Sequence, residues 1–271
     1  MIPFLKQVAD YFYSKGDIGE KCFVFPNRRS MVFFRKYLAE AVADSAGMPL
    51  VAPQMYTIND LFYKISGSYS ADRVRLLLVL YDCYKSLNAK AESLDDFIFW
   101  GDVLLGDFND VDKYLVDPEQ LFTNIADYKE IQDDYQYLTE NQKNAIEAFV
   151  RHFRDENGRL TVNMDTDAPD VKERFLHVWN MMYPLYCRFN AALDEAAIAY
   201  EGKVYRKIAS AVRNNEMQGI LDGVFPDRQN FVFVGLNALN ECEKVFLRSL
   251  RDAGRAHFCW DWSGGSGSAS G

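Results

Sequence analysis

The stretch CFVFPNRRSMVFFRKYLAEAVA, residues 22–43, passes from a short apolar run directly into a segment with helical spacing. Its first part, CFVFP, is almost continuously hydrophobic, which is typical of a parallel strand covered on both faces. In its second part Phe34, Leu38 and Val42 recur every four residues, so that they lie on one face of a helix. A strand followed at once by a helix is the repeating unit of parallel α/β sheets.

Three further apolar runs are predicted to be strands of the same sheet. Two of them are followed by residues spaced as helix caps, since Thr57 precedes Asp60 and Asn240 precedes Glu243 by three positions. Strands that alternate with helices in this way form a right-handed parallel arrangement. The three runs are PLVAPQMYT (49–57), NFVFVG (230–235) and AHFCWDW (256–262).

The long middle of the chain, between the second and third of these four runs, shows helical spacing only. Ser93 and Asp96 are spaced as a helix cap, and one amphipathic pattern runs from Phe175 to Leu193. The sequence therefore predicts a discontinuous α/β domain, residues 1–67 with 226–262, interrupted by an all-helical insertion domain, residues 68–225.

The last residues of the chain, 263–271, are rich in glycine and serine. Such a composition buries no apolar area, and we expect this segment to be an engineered linker or tag scar. On that interpretation the natural chain continues beyond Trp262.

Composition and charge restrict the possible functions. No apolar run approaches the ~18 residues of a membrane span, and the first residues lack the order of a signal peptide. We therefore expect a cytoplasmic protein with no membrane partner. The net charge of -9 argues against a generally basic nucleic-acid binder, so any contact with DNA must be local.

Acidic residues are concentrated in the predicted helical insertion. Residues 91–134 contain thirteen acidic residues and two lysines. Such a surface repels DNA. It either solvates the helical domain or meets a basic surface of a partner protein.

Catalytic and nucleotide-binding motifs are largely absent from the sequence. There is no GxxxxGK[ST] loop, and the one Gly-Lys pair, Gly202-Lys203, is followed by Val204. No ATP site and no cofactor are therefore expected. The acids of DFNDVD, residues 107–112, alternate as in a calcium loop but lack the glycine at its sixth position. We expect a solvated turn that ends a helix there.

A metal-dependent nuclease is the alternative enzymatic hypothesis. Pro169-Asp170 and Glu201-Gly202-Lys203 fit the loose PD…(D/E)xK pattern. That chemistry needs both acids on adjacent strands around Mg²⁺, with the lysine near the activated water. Here the two pieces flank a long amphipathic helix, which favours a structural role for Asp170 at the helix start.

The turn Pro26-Asn27-Arg28-Arg29-Ser30 follows the first strand directly. Ligands of open α/β sheets bind at the carboxyl ends of the strands, where a helix N-terminus and two arginines suit a phosphate. We therefore predict that Asn27, Arg28 and Arg29 contact a nucleic-acid backbone, with weaker electrostatic help from Arg35 and Lys36. The alternative is that Asn27 only caps the helix and both arginines are solvated.

Three segments resemble a known family. They are FVFPNRRSMVFFRKYL (23–38), WGDVLLGDFNDVDKYL (100–115) within the helical insertion, and FVFVGLNALNECEKVFLRSL (231–250) followed by FCWDW (258–262). Together they resemble the amino-terminal part of AddB-type subunits of bacterial AddAB helicase-nucleases, which resect double-strand breaks. The resemblance extends over residues 1–262.

The resemblance implies a superfamily 1 helicase-like scaffold. Its RecA-like first domain (1A) would be split by a helical 1B-type insertion, in a larger protein that ends in a PD-(D/E)XK nuclease domain. The implied partners are single-stranded or unwinding DNA and an AddA-type motor subunit, in bacterial DNA repair and recombination. Asn27, Arg28 and Arg29 correspond by position to a turn that touches single-stranded DNA in active helicases.

This sequence departs from the family pattern at two points. It lacks the phosphate-binding loop that some members keep, and the iron–sulfur cysteines expected near the nuclease domain have no counterpart. We therefore expect a non-catalytic DNA-binding and scaffolding segment. A pure protein-interaction module that uses the acidic helices remains the other alternative.

Overall fold

The computed structural model describes residues 2–44, 50–89, 91–126, 171–226 and 230–261, with the backbone alone at 123–126 and 171–179. Asp170 and the expected linker, residues 263–271, lie outside these ranges. The described elements are α1 (Phe4–Lys15), β1 (Cys22–Phe25), α2 (Arg28–Asp44), β2 (Gln54–Thr57), α3 (Ile58–Ser66), β3 (Tyr69–Ser70), α4 (Arg73–Leu87), α5 (Leu94–Lys113), α6 (Pro118–Ala126), α7 (Val171–Glu195), β4 (Ile198–Ala199), α8 (Glu201–Arg213), α9 (Met217–Val224), β5 (Phe231–Val234), α10 (Glu241–Asp252) and β6 (Ala256–Cys259).

Four of the described strands form one parallel sheet in the order β2-β1-β5-β6. Cys22 of β1 lies opposite Gln54 of β2 on one side and opposite Phe231 of β5 on the other. The prediction of an α/β fold with a parallel sheet is confirmed. Strand β2 is shorter than the predicted run 49–57, because it begins only after Pro53, whose missing N–H cannot join a ladder.

Both faces of the sheet are buried. Phe23 and Val232 belong to a core cluster shared with α1 and α2. Val24, which points the other way from Phe23, is also fully buried. Helix α3 contacts β1 and α10 contacts β6, and Phe62 of α3 meets Phe246 of α10 edge to face with ring centroids 5.0 Å apart. This burial explains why the strands are continuous apolar runs.

Side-chain caps begin the helices that follow β2 and β5. Thr57 Oγ1 accepts a hydrogen bond from the Asp60 N–H at 3.1 Å. Asn240 Oδ1 accepts from the Glu243 N–H at 2.9 Å, and Glu243 Oε2 accepts from the Asn240 N–H at 3.0 Å. Both caps predicted from the sequence are confirmed, and each fixes the point at which the chain leaves the sheet.

The chain divides into two units, one of Met1–Gly67 with Ile208–Gly271 and the other of Ser68–Lys207. The second boundary therefore lies earlier than the predicted one at residue 225. Helix α9 belongs to the unit of the sheet, where the ring of Phe225 just after it meets Phe231 at 5.4 Å. Helical spacing alone cannot show which domain a helix joins.

The described part of the unit Ser68–Lys207 is mainly helical but contains a short parallel pair of strands. Tyr69 of β3 lies opposite Ile198 of β4, so the region predicted to be all-helical differs in this detail. Two-residue strands carry no period that a sequence pattern can reveal. The core of the unit includes the buried side chains of Leu104, Phe108 and Phe189.

The prediction of a solvated turn at residues 107–112 is wrong. Helix α5 continues through this stretch to Lys113, and Asp107 and Asp112 are both buried. Phe108 and Val111 belong to the core of the unit. Asp112 follows Phe108 by four residues and therefore lies on the same inward face of the helix.

None of the helices described in the five ranges given above is long and apolar enough to cross a membrane.

Candidate nucleic-acid interface

The carboxyl ends of the parallel strands meet at one edge of the sheet. From β1 the chain passes through α2 to β2, whereas from β5 it passes through α10 to β6. The two connections lead in opposite directions, and ligands of open α/β sheets bind where the strand order reverses in this way. Pro26 and Asn27 follow β1 at this edge of the sheet, and Gly235 follows β5 with a φ of 68° that glycine adopts readily.

Asn27 caps helix α2. Its Oδ1 accepts hydrogen bonds from the Ser30 N–H at 2.9 Å and from the Ser30 hydroxyl at 3.2 Å. The alternative interpretation included a cap by Asn27, and that cap is therefore confirmed. Asn27 is also exposed, and its Nδ2 group is not needed for the cap.

Arg28 lies at the first position of α2 and its side chain is 80% exposed. Its Nη2 is 3.7 Å from Oδ1 of Asp60, in the first turn of α3. An exposed pair at this distance contributes little stability and is screened by salt. The ion pair therefore holds Arg28 loosely beside the sheet edge and leaves it able to bind a phosphate.

Arg29 is exposed and has no acidic partner among the residues that the structure describes. Its guanidinium lies over the ring of Phe33, with Cζ 5.9 Å from the ring centroid. The Phe33 ring in turn stacks with Tyr37 at a centroid distance of 6.4 Å and an interplanar angle of 30°. Arg29 was predicted from the sequence, whereas the aromatic side chains beside it were not.

Arg35 and Lys36 are exposed two turns further along α2. Lys36 Nζ is 3.8 Å from Oε1 of Glu40, and the same carboxylate lies 3.9 Å from Nζ of Lys6 in α1. The structure therefore brings all five predicted residues onto the start and outer surface of α2, with acidic residues loosely paired to Arg28 and Lys36.

Two residues of the alternative nuclease site, Glu201 and Lys203, pair with different partners. Glu201 Oε1 accepts from Lys113 Nζ at 3.0 Å, whereas Lys203 Nζ lies 3.0 Å from Oδ2 of Asp194 and donates to the Asn190 carbonyl at 2.9 Å. Both residues lie in the first turn of α8 instead of on a strand of the sheet. Among the described residues, no group of three His, Cys, Asp or Glu side chains could hold a metal ion.

A buried polar cluster surrounds Asp112 in the helical unit. Asp112 accepts hydrogen bonds from the hydroxyl of Tyr186 at 2.5 Å and from that of Tyr200, and from Nε of Arg206 at 2.5 Å. Burial, helped by the Asp112 charge, raises the pKa of Tyr186 and of Tyr200 well above the ordinary range. Both hydroxyls therefore stay protonated and act as donors.

Asp107 and Asn109 are two further polar residues of the stretch 107–112 in α5. Burial, together with the Asp110 carboxylate, raises the pKa of Asp107 to about 8. Asn109 Oδ1 accepts from the Gly202 N–H at 2.7 Å and so caps the start of α8 from another helix. Asn109 and Asp112, in the stretch that suggested a calcium loop, thus cross-link helices α5 and α8.

A cleft of about 850 Å³ lies between α1 and the end of β6. Its walls are mostly apolar, with Phe4, Tyr11 and Trp260 among the lining residues, and Asp261 is the one carboxylate among them. No motif in the sequence predicted this cleft, because its walls come from the two ends of the described chain.

The sequence was compared with known proteins. No protein-family model matches it, and a search of curated proteins finds no significantly similar relative.

Proposed function

We propose that this chain is a non-catalytic DNA-binding and scaffolding segment of an AddB-type subunit of a bacterial helicase-nuclease. It would act in the cytoplasm in double-strand-break repair, beside an AddA-type motor subunit that hydrolyses ATP. The observation that supports the proposal is the exposed pair Arg28 and Arg29 at the N-terminus of α2, at the ligand-binding edge of a parallel sheet.

The start of α2 combines three features that favour a phosphate. The first N–H groups of the helix carry partial positive charge, and Asn27 leaves its amide nitrogen free to donate. Arg28 forms only an exposed ion pair with Asp60 at 3.7 Å, and Arg29 has an aromatic ring in place of an acid. Binding a phosphate therefore breaks no strong ion pair of the protein.

The overall charge of the chain limits this site to local contact. With a net charge of -9, long-range attraction of DNA by the whole molecule is not expected. A few Arg and Lys contacts can still bind, because each phosphate that they neutralise releases counterions. The proposed role is to guide a strand that another subunit moves.

The second candidate function is a protein-interaction module, which a different surface favours. Phe99 in α5 is 81% exposed, in the region that is rich in acidic residues. Asp95 and Asp102 lie four residues before it and three after it on the same face of the helix, and Asp102 already forms an exposed ion pair with Arg73. An exposed aromatic side chain between carboxylates suits a partner surface that is apolar at its centre and basic at its rim.

The test of the DNA-binding proposal is fluorescence anisotropy of a labelled 20-nucleotide dT strand, titrated with the protein at low and then moderate salt. Arg28→Glu with Arg29→Glu is expected to abolish salt-sensitive binding without unfolding the protein, since both side chains are exposed. The matched control is Arg248→Glu with Arg251→Glu on α10, which changes the net charge equally. Unchanged affinity in the first variant, or equal losses in both, would remove the α2 site.

A further inference from the structure

We propose that the outer face of α2 is a platform for single-stranded nucleic acid, on which Phe33 stacks against an unpaired base while Arg29 binds the adjacent phosphate. This inference rests on the proposed function, because it assigns a ligand form and a contact residue to the same helix.

The outer face of α2 carries an unusual combination of side chains. Arg29, Val32, Phe33 and Lys36 follow one another at helical spacing and are exposed, whereas Phe34 on the opposite side is fully buried in the core. The exposed fractions are 59% for Val32 and 40% for Phe33. The helix therefore presents an apolar strip bordered by a cation at each end.

The Phe33 ring is not part of the hydrophobic core beneath α2. The core beneath α2 is formed by Phe34 and Leu38, with Tyr37 packed against its margin. Phe33 belongs to no part of that cluster, and its one described ring partner is Tyr37. Partly buried Tyr37 thus supports the Phe33 ring from one side and restricts its orientation.

Arg29 can leave its contact with the Phe33 ring and bind a phosphate instead. Its guanidinium lies 5.9 Å from the Phe33 centroid, a distance at which an exposed cation–π contact is weak. No carboxylate among the described residues competes for this guanidinium. A base that stacks on Phe33 displaces Arg29 from the ring. The guanidinium then lies near the backbone of the same nucleotide, where it can bind the negatively charged phosphate.

The chemistry of this strip favours a single strand over a duplex. Every unpaired base offers a π-face, and stacking on an aromatic side chain tolerates any sequence. In a duplex the base faces are hidden in the stack, so Phe33 has no partner there and only the cations contribute. Phe33 is therefore expected to determine the form of the nucleic acid that binds.

The test compares two labelled strands of equal length and charge, a 20-nucleotide dT strand and a fully abasic strand. The wild-type protein is expected to prefer dT by about tenfold, the value of one base stacked on an aromatic ring. Phe33→Ala is expected to bind both strands equally, with the affinity for the abasic strand unchanged. Phe33→Trp keeps a ring and is expected to retain the preference.

The matched control is Tyr11→Ala in α1, which removes another exposed aromatic ring with a cation beside it, Lys15 Nζ at 5.4 Å from the ring centroid. It is expected to leave both affinities unchanged. If Phe33→Ala binds dT as tightly as the wild type while the Arg28 and Arg29 charge reversals abolish binding, the platform is overturned and the proposed function stands. If the wild-type protein binds neither strand at low salt, both proposals fall.

Discussion

Asp112 and Arg206 form an ion pair across 94 residues of sequence, with Arg206 Nε 2.5 Å from Asp112 Oδ1. The Asp112 side chain is 1% exposed. Arg206 also donates to the carbonyl oxygens of Val111, at 2.8 Å, and Val116, at 2.6 Å. A single guanidinium therefore satisfies both a buried carboxylate and the end of helix α5.

Asp112→Asn is expected to destabilise the protein strongly. The substitution removes the charge that compensates Arg206, and breaking one partner of a buried pair typically costs about 3–5 kcal/mol. Urea denaturation followed by circular dichroism measures the loss. Asp110→Asn, at an exposed carboxylate two residues earlier on the same helix, is the control. Equal stability of the two variants would show that the buried pair contributes nothing.

The raised pKa of Asp107, to about 8, predicts a pH dependence of stability. The folded state holds this proton more tightly than the unfolded state, so the contribution is present at low pH and is lost as pH rises towards 8. The slope from this one proton is at most about 1.4 kcal/mol per pH unit. In urea denaturations between pH 5 and 8, Asp107→Asn is expected to flatten the decline, and parallel curves would contradict the assignment.

Gly202→Ala is expected to destabilise the contact between α5 and α8. A Cβ at this position would lie 2.9 Å from Cα of Asn109 and closer still to its carbonyl oxygen, and both are backbone atoms that cannot turn away. Such overpacking costs about 1–3 kcal/mol. Gly219→Ala in α9 meets no atom within 4 Å, and it is expected to stabilise the protein by about 0.5–1 kcal/mol. Thermal denaturation of both variants distinguishes steric conflict from a general effect of alanine.

Asn27 has a cap role that can be separated from a role in binding. Asn27→Ala is expected to cost about 1 kcal/mol of stability, whereas Asn27→Ser keeps an oxygen that can cap α2. If Asn27 also donates to a phosphate through Nδ2, the serine variant folds normally but binds dT more weakly. Normal binding by the stable serine variant would restrict Asn27 to the cap.

Local patterns in the sequence predicted those features that depend on nearby residues. The caps at Thr57 and Asn240 and the strand β1 each rest on residues within one turn or one strand, and all three were found. The pairing of Arg28 with Asp60 and of Asp112 with Arg206 depends instead on how distant elements meet. No spacing rule connects residues that only the tertiary fold brings together.

The exposed ring of Phe33 could have been predicted, because Phe34 and Leu38 fix the inward face of α2. Adjacent residues of a helix are separated by about 100° around its axis, which places Phe33 away from that face. Because Val32, Phe33 and Phe34 are consecutive apolar residues, the sequence pattern does not by itself distinguish the exposed Phe33 from the buried Phe34. The wrong prediction at 107–112 has the opposite cause. The acidic residues of this stretch suggested exposure to solvent, but Asp112 is buried, with Arg206 and two tyrosines as hydrogen-bond donors.

Tyr69, next to the start of the helical unit at Ser68, pairs with Ile198, which lies shortly before the end of the unit at Lys207. Strands β1 and β5, by contrast, are neighbours in the sheet although the whole helical unit separates them in the chain. Closing so long a loop is slow while the intervening chain is unfolded. Once β3 and β4 have paired, the length of chain that must be closed between β1 and β5 is smaller. We therefore expect the helical unit to fold first. The pairing of β3 with β4 then brings β1 and β5 closer along the chain before they join in the sheet.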